Sequence, residues 1–181
     1  MVSRSWASIV LLSVGLVAAC TSTSSPPTIA PTSPVVTPTP TPSPTPTFGP
    51  NQTAALAVVT KYYAWINTYS KDPSFPNFGE LQRLAKGDPV TMNVARVNNI
   101  GRAGQHQVGD LVLAQVVPDS DSPTQIGVAI CVDATNVSRL DQAGNVVPRQ
   151  DGLTRRGYNL KLRNDGGTWF VVSDVGGNYS C

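Results

Sequence analysis

Apolar side chains recur along this chain with two different periods, and the change from one to the other falls just after Gly104. Leu56, Val59, Tyr63, Ile66 and Tyr69 lie three and four residues apart, which predicts a helix over about Ala54 to Ser70 with Thr53 as its N-cap. Tyr62 and Trp65 widen its apolar stripe, so this helix is expected to be largely buried. Pro73 and Pro76 break it. A short helix follows from Phe78 to Lys86, with Leu81 and Leu84 inward. Asp88 and Pro89 then read as N-cap and first-turn proline of a third helix that stops before Gly104.

Beyond Gly104 the pattern is that of strands. Asp110 to Val117 and Gln125 to Asp133 carry apolar residues on both alternating faces, as expected of central strands covered on each side. Val137 to Leu140 and Val146–Val147 flank a turn at Asp141–Asn145. Leu153 to Arg163 and Thr168 to Val175 flank Asn164-Asp165-Gly166-Gly167, a hairpin signal. Pairing Arg163 with Thr168 puts Tyr158, Leu160, Leu162, Trp169 and Val171 on a core face, and Lys161, Arg163, Phe170 and Val172 on the other. Helices gathered before an antiparallel sheet make an α+β fold.

The first fifty residues have no such pattern. Arg4 precedes an apolar run from Ile9 to Ala19, too short to span a bilayer, which needs roughly 20 apolar residues. Val17-Ala18-Ala19-Cys20 at its end resembles the lipobox of bacterial lipoproteins. The resemblance implies that residues 1–19 are a cleaved signal peptide and that Cys20 becomes the acylated first residue, with palmitate-type chains holding the protein to the outer face of the cell membrane. A plain secretory signal with Cys20 unmodified is the alternative. Residues 20–50 continue with almost nothing but Thr, Ser and Pro and with no charge. Such a tract lacks both backbone donors and apolar mass, so it is expected to be a disordered, semi-rigid tether through the cell envelope, reaching at most about 90 Å. Residues 51–181 remain to fold as one domain.

Net charge is only +2 for the whole chain, and no basic run stands out, which argues against a nucleic-acid partner. With Cys20 assigned to lipid, Cys131 and Cys181 are the remaining cysteines. Outside the cytoplasm they are expected to form a disulfide, the alternative being two free thiols. No metal is expected, because two cysteines and one histidine make no ligand set of the usual spacing. No cofactor is expected either: Gly101, Gly104 and Gly109 follow a helix, not the strand a dinucleotide fingerprint requires.

The order of elements, the aromatic first helix, the Cys131-Val132-Asp133 strand and the terminal Cys181 together resemble actinobacterial lipoprotein domains of the nuclear-transport-factor-two-like, cystatin-like superfamily. In that fold N-terminal helices pack on a strongly curved antiparallel sheet to form a cone, often with a pocket at its mouth. The superfamily holds isomerases, dehydratases, small-molecule binders and adaptors, so the likeness selects no single function. Its enzymes place an aspartate or histidine inside the cone. Asp133 and His106 are the candidates here, against the plainer readings of a turn-capping aspartate and a solvated loop histidine. Asp110 and Asp174 stand at strand ends. Tyr62, Tyr63, Trp65, Tyr69, Tyr158 and Trp169 are candidates to line a pocket, foremost Tyr62, Trp65, Tyr158 and Trp169, or else to fill the core. Arg155, Lys161 and Arg163, with Phe170 beside them, form a basic stripe suited to a partner or a homodimer, or simply a solvated strand face. The sequence therefore points to a membrane-anchored binding module for a small apolar ligand or an envelope partner. An isomerase or dehydratase using Asp133, and a purely structural interaction module, are the alternatives.

Overall fold

In the computed structural model the residues described are 47–149, 152–177 and 180–181. The expected signal peptide, Cys20 and nearly all of the tether lie outside them. The described residues fall within one compact unit. Its elements run α1 (Pro50–Lys71), α2 (Phe78–Leu84), α3 (Asp88–Arg102), β1 (His106–Val108), β2 (Val112–Pro118), β3 (Gln125–Asp133), β4 (Ser138–Leu140), β5 (Arg155–Asp165) and β6 (Thr168–Gly176). This is the expected α+β order.

Helix α1 begins earlier than its apolar pattern suggests. Pro50 occupies the first turn, the Gly49 amide donates to Gln52 Oε1 at 2.9 Å, and Asp121 Oδ1 accepts from the Gln52 amide at 2.8 Å. A carboxylate from the β2–β3 loop thus satisfies a free amide where the helix dipole favours negative charge. Thr53 is not the N-cap; its hydroxyl bonds back to Gly49 O inside the first turn. The buried stripe is Ala55, Val59, Tyr62, Tyr63, Trp65 and Ile66, while Leu56 and Tyr69 are only partly covered. Gly87, at φ 70, turns the chain into α3, so Asp88 lies within the first turn instead of capping it.

Four strands pair antiparallel in the order β2-β3-β5-β6, and β1 pairs with β4 in a separate two-stranded sheet. The inner face of the larger sheet supplies Ile126, Val128, Ile130, Val132, Leu160, Leu162, Trp169 and Val171 to the core against α1 and α2. Only β3 and β5 are central. Strand β2 is an edge with Val112 and Val117 more than half exposed, which corrects the expectation that both of its faces are covered. The outer edge at β6 is partly closed by the α2–α3 connection, where the Lys86 amide donates to Val171 O at 2.9 Å.

The β5–β6 turn is tighter than the four-residue loop expected. Gly166 and Gly167, at φ 62 and 91, make a two-residue turn of the kind whose twist matches a hairpin, and Arg163 pairs with Phe170, not Thr168. Further along, Lys161 opposes Ser173 while Leu162 opposes Val171, so Val172 is a bulge residue without a partner. Before the bulge, Trp169 and Val171 face inward. After it the phase is reversed, and Asp174, opposite Leu160, faces inward too. A second irregularity at Ala114 bends β2 in the same sheet.

Cys181 is joined to Cys131 on β3, with Cα atoms 5.8 Å apart. Strand β5 lies between β3 and β6, and there the Gly177 amide donates to Gly157 O at 2.8 Å. The C-terminus is thereby fastened to the outer face, across the sheet from the helices. Closing a loop of 50 residues contributes about 4 kcal/mol on the chain-entropy account. Replacing Cys181 by Ser is therefore expected to lower the melting temperature by at least about 10 °C, and reduction of the wild type should reproduce that loss. Unchanged melting in both, with two free thiols on peptide mapping of the exported protein, would contradict the bridge.

Candidate functional site

At the end of the sheet where β3 terminates and β5 begins, the helices and strands do not close on one another. A cavity of about 600 Å³ lies there, walled by Tyr63 and Ile66 of α1, Arg96 of α3, Val132, Arg156, Tyr158 and Asp174 of the large sheet, and Gln107 and Arg139 of the small one. The small sheet is fixed to α1 by one side chain. Asn67 Nδ2 donates to Leu111 O, and its Oδ1 accepts from the Leu111 amide and from Gln107 Nε2, all within 3.0 Å. At the rim Arg149 donates to the carbonyls of Leu153, Ala134 and Val137, binding the loops after β3 and before β5 into one wall. Tyr158 opposes Gly176 in the ladder, where an added Cβ would stand 3.0 Å from its ring. That glycine gives the ring room at the cavity wall.

One wall carries a buried polar network. Tyr62 donates its hydroxyl proton to Asp174 Oδ2 at 2.9 Å, and Asn93 Nδ2 donates to Tyr62 Oη at 2.6 Å and to Pro89 O at 2.8 Å. Asp174 Oδ1 is buried without a hydrogen-bond partner. Burial pushes the Asp174 carboxyl above the ordinary carboxylate range, opposed by the Tyr62 hydrogen bond and the Arg96 charge. Burial next to that carboxylate also drives the Tyr62 and Tyr63 phenols far up, so both are neutral donors. Arg139 is held below its usual value, first by desolvation and then by the charges of Arg96 and Arg149.

Several residues singled out in the sequence stand elsewhere. Asp133 is not a buried base: its carboxylate accepts from the Thr135 amide at 2.8 Å, lies 3.6 Å from Arg155, and is held below the usual range chiefly by Thr135. It caps a turn. His106 belongs to β1, opposite Leu140, and borders a separate shallow depression with Lys71 and Arg102. Of the aromatic candidates Tyr63 and Tyr158 line the cavity. Tyr62, Trp65 and Trp169 are core, with Trp65 Nε1 satisfied by Asn77 O at 3.0 Å.

The basic stripe is divided along β5. Arg155 and Arg163 lie roughly 27 Å apart by the rise of an extended strand. Each is matched with a carboxylate, Asp133 and Asp165 respectively. Lys86 also reaches Asp165, at 2.8 Å, and sits 3.7 Å over the Phe170 ring. These two cations hold the Asp165 pKa at about 2. Lys161 is exposed. Among the described residues no group of His, Cys, Asp and Glu could hold a metal ion, and no helix is long and apolar enough to cross a membrane.

No protein-family model matches the chain, and no curated protein matches it. Solved structures do. The intermembrane-space region of the chloroplast protein ARC6 aligns at 13% identity with a TM-score of 0.50, over 72% of this chain and 98% of that one. A protein from Catenulispora acidiphila aligns at 14% identity and TM-score 0.44, over 70% and 92%. One from Caulobacter vibrioides, described as having a cystatin-like fold, aligns at 15% and 0.43, over 71% and 91%. At these identities the likeness concerns the fold alone. The α+β class rests on the elements themselves, three helices followed by antiparallel strands.

The raised pKa of Asp174 gives a sign for its pH dependence. At neutral pH the folded protein holds a desolvated charge that an amide would not. The Asp174→Asn variant should then be at least as stable as wild type at pH 7. Its advantage should shrink as pH falls through the raised pKa, because the wild-type carboxyl then becomes neutral. Melting curves of the two proteins between pH 4 and 8 check this. A difference that widens in acid would contradict it.

Proposed function

We propose that the chain is an exported lipoprotein, anchored at the outer face of the cell membrane through Cys20, whose α+β domain binds a small molecule in the cavity between α1, α3 and the sheet. The observation that carries the binding reading is the cavity. Its volume of about 600 Å³ falls within the roughly 300–1,000 Å³ of small-molecule sites. Trp65 and Trp169, the tryptophans expected at the pocket, are packed in the core instead. Export is supported by the lipobox-like Val17-Ala18-Ala19-Cys20 and by the Cys131–Cys181 bridge, since such bonds persist in oxidising compartments.

One observation favours a second reading, an isomerase- or dehydratase-type enzyme. Asp174 is a buried carboxylate in the cavity wall with a raised pKa, the property a general acid or base needs. In that reading it takes the role the sequence pattern had offered to Asp133.

Native mass spectrometry of the exported protein tests the binding reading. The expected spectrum has a small-molecule mass that leaves on collisional activation, on a chain whose first residue is acylated Cys20. A bare protein, with no adduct lost on activation from either the wild type or a Val137→Trp variant that narrows the cavity, would count against it.

A further inference from the structure

Among the described residues the cavity lining carries four guanidinium side chains, Arg96, Arg139, Arg149 and Arg156, and one carboxylate, Asp174. Two of the four are committed by their surroundings in different ways. Arg149 is spent on backbone carbonyls, and the Nε of Arg156 is buried in the sheet. Arg96 and Arg139 differ. They project from α3 and β4, on different walls, and neither side chain has a hydrogen bond or an ion pair among the described residues. On the outer face, by contrast, Arg155 and Arg163 each have a carboxylate.

Cations brought together in a concave, partly desolvated space repel one another, and water screens them less there than on an open surface. The burden falls on Arg139, which remains in part open to solvent but is partly desolvated and opposed by Arg96 and Arg149. Such an arrangement costs stability in the empty protein and is relieved by an anion. Guanidinium groups suit carboxylate and phosphate oxygens because their planar forks donate two parallel hydrogen bonds. Apolar side chains, Tyr63, Ile66, Leu111, Val132 and Val147, line part of the same cavity.

We infer that the cavity takes an anionic amphiphile, a small molecule whose carboxylate or phosphate group sits between Arg96 and Arg139 and whose apolar body lies against Tyr63, Ile66 and Leu111. The inference rests on the small-molecule reading above and narrows it. A wholly apolar ligand would cover the two guanidiniums without giving them an acceptor, and a bare inorganic anion would leave the apolar side chains of the wall uncovered.

Calorimetric titration of the full chain carrying Cys20→Ser, at monomeric probe concentrations, tests it with four probes: decanoate, decyl phosphate, decanol and inorganic phosphate. Decanoate or decyl phosphate, according to which head group the site takes, should bind at least about tenfold more tightly than decanol or inorganic phosphate. Arg96→Met and Arg139→Met should each weaken that binding roughly tenfold or more, whereas Lys61→Met on the exposed side of α1 should not. Arg139→Met should also leave the melting temperature of the empty protein unchanged or higher, which an arginine with a merely structural role would not do. Decanol binding as tightly as the anions, insensitive to both arginine substitutions, would overturn the anionic ligand and leave the small-molecule reading standing. Absence of binding by all four probes, together with a bare native mass spectrum, would overturn both.

Discussion

The hydrogen bond from Tyr62 to Asp174 joins the middle of α1 to the far end of β6, and the arrangement of the domain around it follows from where those two groups must be. Tyr62 has no exposed surface, so its hydroxyl needs a partner inside; left without one it would cost about 1–3 kcal/mol. Asp174 supplies the acceptor only because the Val172 bulge turns it inward. Asn93 then ties α3 to the same hydroxyl. Below this point Trp169, Val171, Leu160 and Leu162 fill the space under the helices with apolar atoms. Above it the polar network ends the close-packed core, and the cavity begins.

The bulge also separates what could be read in the sequence from what could not. Helix and strand periods were legible because burial follows them: Gln125–Asp133 has the bounds its pattern indicates, and the face carrying Leu160, Leu162, Trp169 and Val171 is the core face. The Cys131–Cys181 bridge was legible because few cysteines remained to pair. Asp174 was not. Strict alternation from Val171 places Ser173 and Val175 inward, and nothing in the composition of Val171-Val172-Ser173-Asp174 announces an extra residue. The capping of α1 by Asp121 and the pairing of β1 with β4 were hidden for a related reason, since each joins residues far apart in the chain.

Charge placement repeats the lesson at the scale of the surface. Arg155, Lys161 and Arg163 attract notice because they alternate along one strand, yet two of them are matched by Asp133 and Asp165. Arg96 and Arg139 lie 43 positions apart in the sequence, one on a helix and one on a three-residue strand, and only the closure of the small sheet onto α1 brings them to one cavity. Arg155 and Arg163 are balanced on the outer face, whereas among the described residues four guanidiniums and one carboxylate line the cavity. An imbalance of this kind has a physical cost that a folded domain has no reason to carry unless something bound there offsets it, and this links the fold to the proposed binding role.

The inward carboxylate is the point on which the account of both core and cavity turns, and the ¹³C chemical shift of Asp174 Cγ, followed by NMR across an acid titration, tests it most directly. The account predicts a single titration with a pKa above the ordinary carboxylate value of about 3.9, together with a Tyr62 hydroxyl protected from exchange. A carboxyl that titrates at or below that value, as a solvated or ion-paired aspartate does, would contradict it.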